Sequence, residues 1–202
     1  MIHPFFNDII TQPDLAQQCR TDLIQLPEPF VGENQLKAIL LGADPTNDGI
    51  KAERGLKQLK TVFGINSEFE RFFFNPQKTN LNAIGLKKND LYIQNVCRNY
   101  FKDPTSENKS WNEIAKIWIP YLIKELGSLD DGLPVLITAE KIMKLFVPEI
   151  PGASVIYNLN HKPPFYSVDL KRYLIPFYRH PSYLLSKNWD SYRKYIKQLI
   201  NE

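Results

Sequence analysis

Residues 38–49 read AILLGADPTNDG, and this stretch decides the fold. It opens on a run with no polar residue on either alternating face, the pattern of a strand covered on both sides. It stops at Gly42 and passes straight into Asp44, Pro45, Thr46, Asn47 and Asp48. In open α/β sheets ligands bind just beyond the carboxyl ends of the strands. A buried strand ending in so polar a turn therefore reads as one edge of a site, with Asp44 at its tip.

Three further runs read as strands: DLYIQNV at 90–96, PVLITA at 134–139 and YLIPFYR at 173–179, beside KAILLG at 37–42. Helical patterns separate them. Trp111, Ile114, Ala115, Trp118, Ile119, Leu122, Ile123 and Leu126 recur at spacings of three and four, with Ser110 as the expected N-cap and Pro120 expected to kink the helix. Trp189, Tyr192, Ile196, Leu199 and Ile200 form a second stripe, and residues 14–24 and 53–62 read as weaker helices. Within 153–169, SVIYNL reads as a possible strand and HKPPF as a surface loop. Strands alternating with helices imply parallel pairing. The expectation is a single domain over 1–202, a three-layer α/β/α fold around a central four-stranded, mainly parallel sheet. Its rim would gather Asp44, Asn95 and His180, each at or just past a strand end.

Composition is that of an ordinary globular chain: 202 residues, 43% hydrophobic and 23% charged, with a net charge of +3. No global basic field announces a nucleic-acid partner, although a local patch still could steer one. Cys19 and Cys97 are too few for a disulfide framework or for the four ligands of an iron–sulfur cluster, and they point to a reducing, cytoplasmic setting. No metal or organic cofactor is implied. The start, MIHPFFNDIITQPD, has no basic segment followed by a long apolar one, so no secretory leader is expected. No apolar run approaches the roughly 18 residues of a membrane span.

At the three strand ends the chain resembles the uracil-DNA glycosylase superfamily, and most closely its main uracil-excising branch. Where that branch has G-Q-D-P-Y-H, this chain has Gly42-Ala43-Asp44-Pro45-Thr46-Asn47. Where it has L-L-N-T-V, this chain has Tyr92-Ile93-Gln94-Asn95-Val96, and H-P-S-P-L-S is matched by His180-Pro181-Ser182-Tyr183-Leu184-Leu185-Ser186. A helix that starts at a Trp and an apolar strand lie between, as Trp111 to Thr138 do here, and the parts keep the family's order over roughly residues 36–190. The resemblance implies a DNA glycosylase, a monomer acting on DNA that carries uracil or a related damaged base. Asp44 would position water and stabilise the cationic sugar, Asn95 would bond the polar edge of the flipped base, and His180 would donate to its oxygen. Ser182 would hold a phosphate, and Leu184 would fill the gap left in the duplex. Ala43, Thr46 and Asn47 would line the base, in place of the family's Gln, Tyr and His. The smaller Thr46 leaves room beside a 5-methyl group. The stacking Phe of the family falls near Gln58 by spacing, which leaves Phe63 or one of Phe72, Phe73 and Phe74 to serve.

Plainer readings stand beside these. Asp44 could cap a turn, Asn95 could satisfy backbone, a lone His is often structural, and Leu184 could be core. The RFFFN run reads first as core. Arg98, Lys102, Lys109, Lys187 and Arg193 could meet phosphates or be solvated surface. The departures at Ala43, Thr46 and Asn47 also suit a rival: a non-catalytic nucleic-acid-binding protein on the same fold. A hydrolase of free nucleosides is a third reading, and Leu184 argues against it, since a wedge serves only a duplex.

Overall fold

The computed structural model describes residues 4–46, 58–178 and 185–201. Its centre is a six-stranded sheet in the order β1-β3-β2-β4-β6-β5. The strands are β1 (Phe30–Val31), β2 (Ala38–Gly42), β3 (Leu91–Asn95), β4 (Val135–Ile137), β5 (Phe165–Ser167) and β6 (Arg172–Pro176). β3, β2, β4 and β6 are mutually parallel and correspond to the four predicted strands. The expectation of four strands is corrected to six, because β1 pairs antiparallel with β3 and β5 antiparallel with β6, one at each edge. Two-residue β1 is too short to leave a periodic trace, and β5 is only half-buried, so neither shows as an apolar run.

Ala38 to Leu41 are wholly buried, which requires cover on both sheet faces. Burying each Ile or Leu side chain of this run contributes about 1.5–3 kcal/mol. The cover comes from helices α1 (Pro4–Ile10), α2 (Pro13–Ala16), α3 (Glu70–Phe73), α4 (Asn75–Ala83), α5 (Trp111–Leu126), α6 (Glu140–Phe146), α7 (Ala153–Tyr157) and α8 (Leu185–Asn201). α5 and α8 carry the two predicted stripes. α5 runs on through Pro120 as one helix. Ser110 stands at its N-cap position, yet its hydroxyl caps nothing; instead Asn108 Oδ1 accepts the Ser110 N–H at 2.9 Å.

Three further expectations change. Residues 14–24 hold only the short α2, because the chain beyond it is drawn alongside 100–102: Arg20 N donates to Tyr100 O, and Lys102 N donates to Gln18 O, both at 2.9 Å. Of residues 53–62, those at 53–57 lie outside the described residues; Thr61 bridges to Glu28 in place of a helix, and Val62 opens only a single 3₁₀ turn, Val62–Gly64. SVIYNL is not a strand. Ala153, Ile156 and Tyr157 are buried at helical spacing while Val155 is exposed, and α7 is the result.

Candidate functional site

The β2–β3 ladder continues past the strands and delivers two polar residues to one rim. Gly42 is opposite Asn95, Val96 N donates to Gly42 O at 2.8 Å, and Cys97 N donates to Ala43 O at 2.9 Å. Asp44 follows directly. Its Oδ1 accepts the Thr46 N–H at 3.0 Å. Its Oδ2 accepts the Thr105 hydroxyl at 2.6 Å and the Trp111 indole N–H at 2.9 Å. Burial pushes the Asp44 carboxyl above the usual carboxylate range, and the donors from Thr105, Thr46 and Trp111 pull it back. Every partner donates, so the arrangement suits an ionised, acceptor-only carboxylate.

Asn95 is 2% exposed, at the end of β3. Its N–H donates to Gln94 Oε1 at 2.9 Å, and Gln94 Nε2 donates to Glu125 Oε2 on α5 at 3.0 Å. Gln94 thus satisfies a backbone donor that has run past the end of β1. Among the described residues the Asn95 side-chain amide has no hydrogen-bond partner, which leaves both ends of it available to a ligand.

Phe63 closes over this amide. It holds φ 54° and ψ 17°, left-handed backbone that costs a non-glycine residue on the order of 1–2 kcal/mol, and Gly64 follows at φ 62°. Its ring meets Phe74 edge-on at 6.3 Å. Gly42 allows the approach: a Cβ there would lie 2.3 Å from Asn95 Oδ1 and 2.7 Å from Phe63 Cζ. Among the described residues Asn66, Leu159 and Lys171 also hold positive φ, but only Phe63 does so on the cavity wall, where such strain is consistent with a functional position.

Asp44, Pro45, Thr46, Leu59, Phe63, Phe73 and Asn95 line a cavity of about 140 Å³. That is smaller than the ~300–1,000 Å³ of sites for drug-sized ligands and suits one flat ring system. A larger, open groove of about 580 Å³ runs between residues 11–15 and Glu113, Lys116 and Ile117. None of the residues at the strand ends lines that groove, so the smaller cavity, at the carboxyl ends of β2 and β3, is the candidate. Among the described residues no group of three or more His, Cys, Asp or Glu side chains could hold a metal.

The structure thus brings together Asp44, Asn95, Thr46 and Phe63 of the predicted set. Ala43 is half-buried and does not line the cavity; its carbonyl is spent on Cys97. Thr46 is tied down, its Oγ1 accepting the Phe101 N–H at 2.9 Å. Gln58 instead bonds the Gln25 carbonyl at 3.1 Å, outside the cavity. The RFFFN run divides: Phe74 is core, Phe73 lines the cavity, and Phe72 lies beside Arg71. Arg98 is a correction as a phosphate contact. It is 4% exposed and donates to Pro27 O, Tyr121 Oη and Glu28 Oε2. Asn47, His180, Ser182 and Leu184 lie outside the described residues. Sequence reading missed Gly42, Leu59 and Thr105 as site residues and took Trp111 only as the start of a helix. The one available signal for Gly42 was a glycine opposite an asparagine at paired strand ends.

No curated protein is matched by the chain. Residues 27–202 match the family model described as the Uracil DNA glycosylase superfamily, and the chain belongs to that superfamily.

Proposed function

We propose that this protein is a monofunctional DNA glycosylase that takes uracil or a related damaged base from DNA and hydrolyses its N-glycosidic bond. Membership of the superfamily supports the class of reaction. The observation that carries the reading is the convergence of a donor-held carboxylate, an unpartnered amide and an aromatic ring on one cavity of about 140 Å³.

Breaking an N-glycosidic bond puts positive charge on the sugar and negative charge on the base. A fixed carboxylate near the first stabilises the transition state more than the ground state. Asp44 fits that role. Oδ2 is taken up by Thr105 and Trp111, whereas Oδ1 is met by the Thr46 N–H and keeps capacity to accept from a water. The Asn95 amide offers an acceptor and two donors to the edge of a base, and the Phe63 ring offers it a face. His180, Ser182 and Leu184 keep the roles the resemblance implies: donor to the leaving base, phosphate holder and wedge. The same reading favours a reducing, cytoplasmic setting and action as a monomer.

The test is base release from end-labelled oligonucleotides carrying one U, T, hypoxanthine or xanthine, single-stranded or opposite G or A, followed by alkali. Release from at least one of them is expected. D44N should lower the rate about 10²–10³-fold, the usual cost of losing one preorganised electrostatic group. Full activity in both D44N and H180A would sink the mechanism. Folded protein that binds DNA with a steep salt dependence yet frees no base would favour the binding-protein reading.

A further inference from the structure

Lys141 lies in the first turn of α6, outside every motif of the resemblance and outside the cavity lining. Its Nζ donates to the carbonyls of Thr105 and Asn108, both at 2.9 Å. It also stands 5.1 Å from the centroid of the Trp111 ring. Thr105 and Trp111 are the two residues that donate to Asp44 Oδ2. Asn108 is the residue whose side chain accepts the Ser110 N–H, just before Trp111 opens α5. One ammonium thus gathers the loop that carries the first donor, the turn that launches the second, and the face of the second donor's ring.

A half-buried lysine ordinarily extends its stem to keep its head in water. This one turns its head to two carbonyls of a single loop. We propose that Lys141 is a positioning residue for base excision: it fastens Thr105 and Trp111 so that both hold Asp44 Oδ2 and leave Oδ1 for the reaction. The inference rests on the glycosylase reading above.

The charged and titratable groups around Asp44 are few among the described residues. Lys141 faces it from α6, and the Cys97 thiol from the segment after β3. Burial drives the Cys97 thiol far up, so it stays neutral through the working range. Burial also presses Lys141 down, while Asp44 favours its charged form. The cation and its two donors therefore favour the ionised state of a carboxyl that burial opposes.

The experiment uses the full chain with K141M, K141R and T105V. Two readouts are taken: single-turnover base release against pH, and the indole N–H resonance of Trp111 in ¹H–¹⁵N spectra, assigned with W111F. K141M and T105V should lower the maximal rate about tenfold to a hundredfold, the scale of a misplaced catalytic group. Both should move the acid limb to higher pH and leave the half-saturating protein concentration in single turnover little changed. K141M should shift the Trp111 indole resonance, and K141R should restore rate, limb and resonance. An unmoved indole resonance in folded K141M overturns the positioning role whatever the chemistry proves to be. A slower K141M with an unmoved acid limb overturns it as mere structural support. Should K141M fail to fold, T105V decides through its acid limb, and an unmoved limb there overturns the proposal. Wild-type protein that frees no base refutes the glycosylase reading, and the resonance still reports separately on the Lys141 contact.

Discussion

At position 42 the site requires a hydrogen atom. G42A places a methyl where Asn95 Oδ1 and the Phe63 ring already are. Something must shift, and overpacking of this kind costs about 1–3 kcal/mol. The variant should keep its far-UV circular dichroism and lose about 10²-fold or more in base release, since displacements near 1 Å at a reacting centre are that costly. Wild-type activity in folded G42A would show that Phe63 and Asn95 need not approach position 42 so closely. Asp44 and Asn95 were legible because each ends an apolar run, and the residue type after such a run is informative. Phe63 was only one of several candidates, because its ring reaches the cavity through a left-handed turn whose sole trace in the sequence is the glycine beside it. Thr105 left no trace. It sits in a loop, and what matters is a contact with a residue 61 positions away.

At the scale of elements, the four parallel strands were readable for a plain reason: strands covered on both faces are apolar throughout. The edge strands were not, since β5 exposes Tyr166 and β1 exposes Val31. α5 shows how an element is finished by a residue far from it. Arg172, at the start of β6, donates to the carbonyls of Leu126, Leu129, Asp130 and Leu133, and so satisfies the end of the helix and the turn that follows it. Its side chain is 1% exposed, and Asp131 lies 3.8 Å away at the surface. R172M would keep the stem and abandon those carbonyls. Hydrogen bonds to a charged group contribute about 1.5–3 kcal/mol each in isolation and add poorly when shared. A loss of about 3 kcal/mol in urea unfolding is expected, and a loss below about 1 kcal/mol would show that water serves the carbonyls as well. The helix stripe of α5 was plain in sequence, whereas its partner in β6 was not, because nothing local links Arg172 to Leu126.

For the molecule as a whole, acid and base pull on stability in opposite senses. Asp44 has its carboxyl raised by burial, so between the unfolded value and the raised one the folded protein holds a proton that the unfolded chain has lost. Stability from this group is present at low pH and falls as pH rises through the raised value. Glu70 and Asp90 go the other way. Burial pushes each up, but the Asn66 N–H and Lys88 at Glu70, and the Asn34 amide and Lys87 N–H at Asp90, leave both lowered. Their contribution is present above the unfolded carboxylate value and is lost as pH falls through the lowered ones. D44N should therefore lose the component of stability that falls with rising pH, and gain on the wild type as pH climbs from acid toward neutral. Parallel curves of unfolding free energy against pH for the two proteins would contradict a raised Asp44. A gain in stability beside a loss of base release would mark Asp44 as held for its chemistry at the expense of the fold.

Phe63 is fixed before anything binds. Its backbone is set by the turn, and its ring is bounded by Phe74 and by the bare Cα of Gly42. A flat ring entering the cavity meets a wall whose backbone and neighbours are already in place, so part of the loss of side-chain freedom that usually weakens association, about 0.5–1.5 kcal/mol per side chain, was incurred when the chain folded. On the proposed reading, encounter would then be limited by how the base arrives, and the aromatic wall would act on it as a sieve for flatness rather than as a hand that closes.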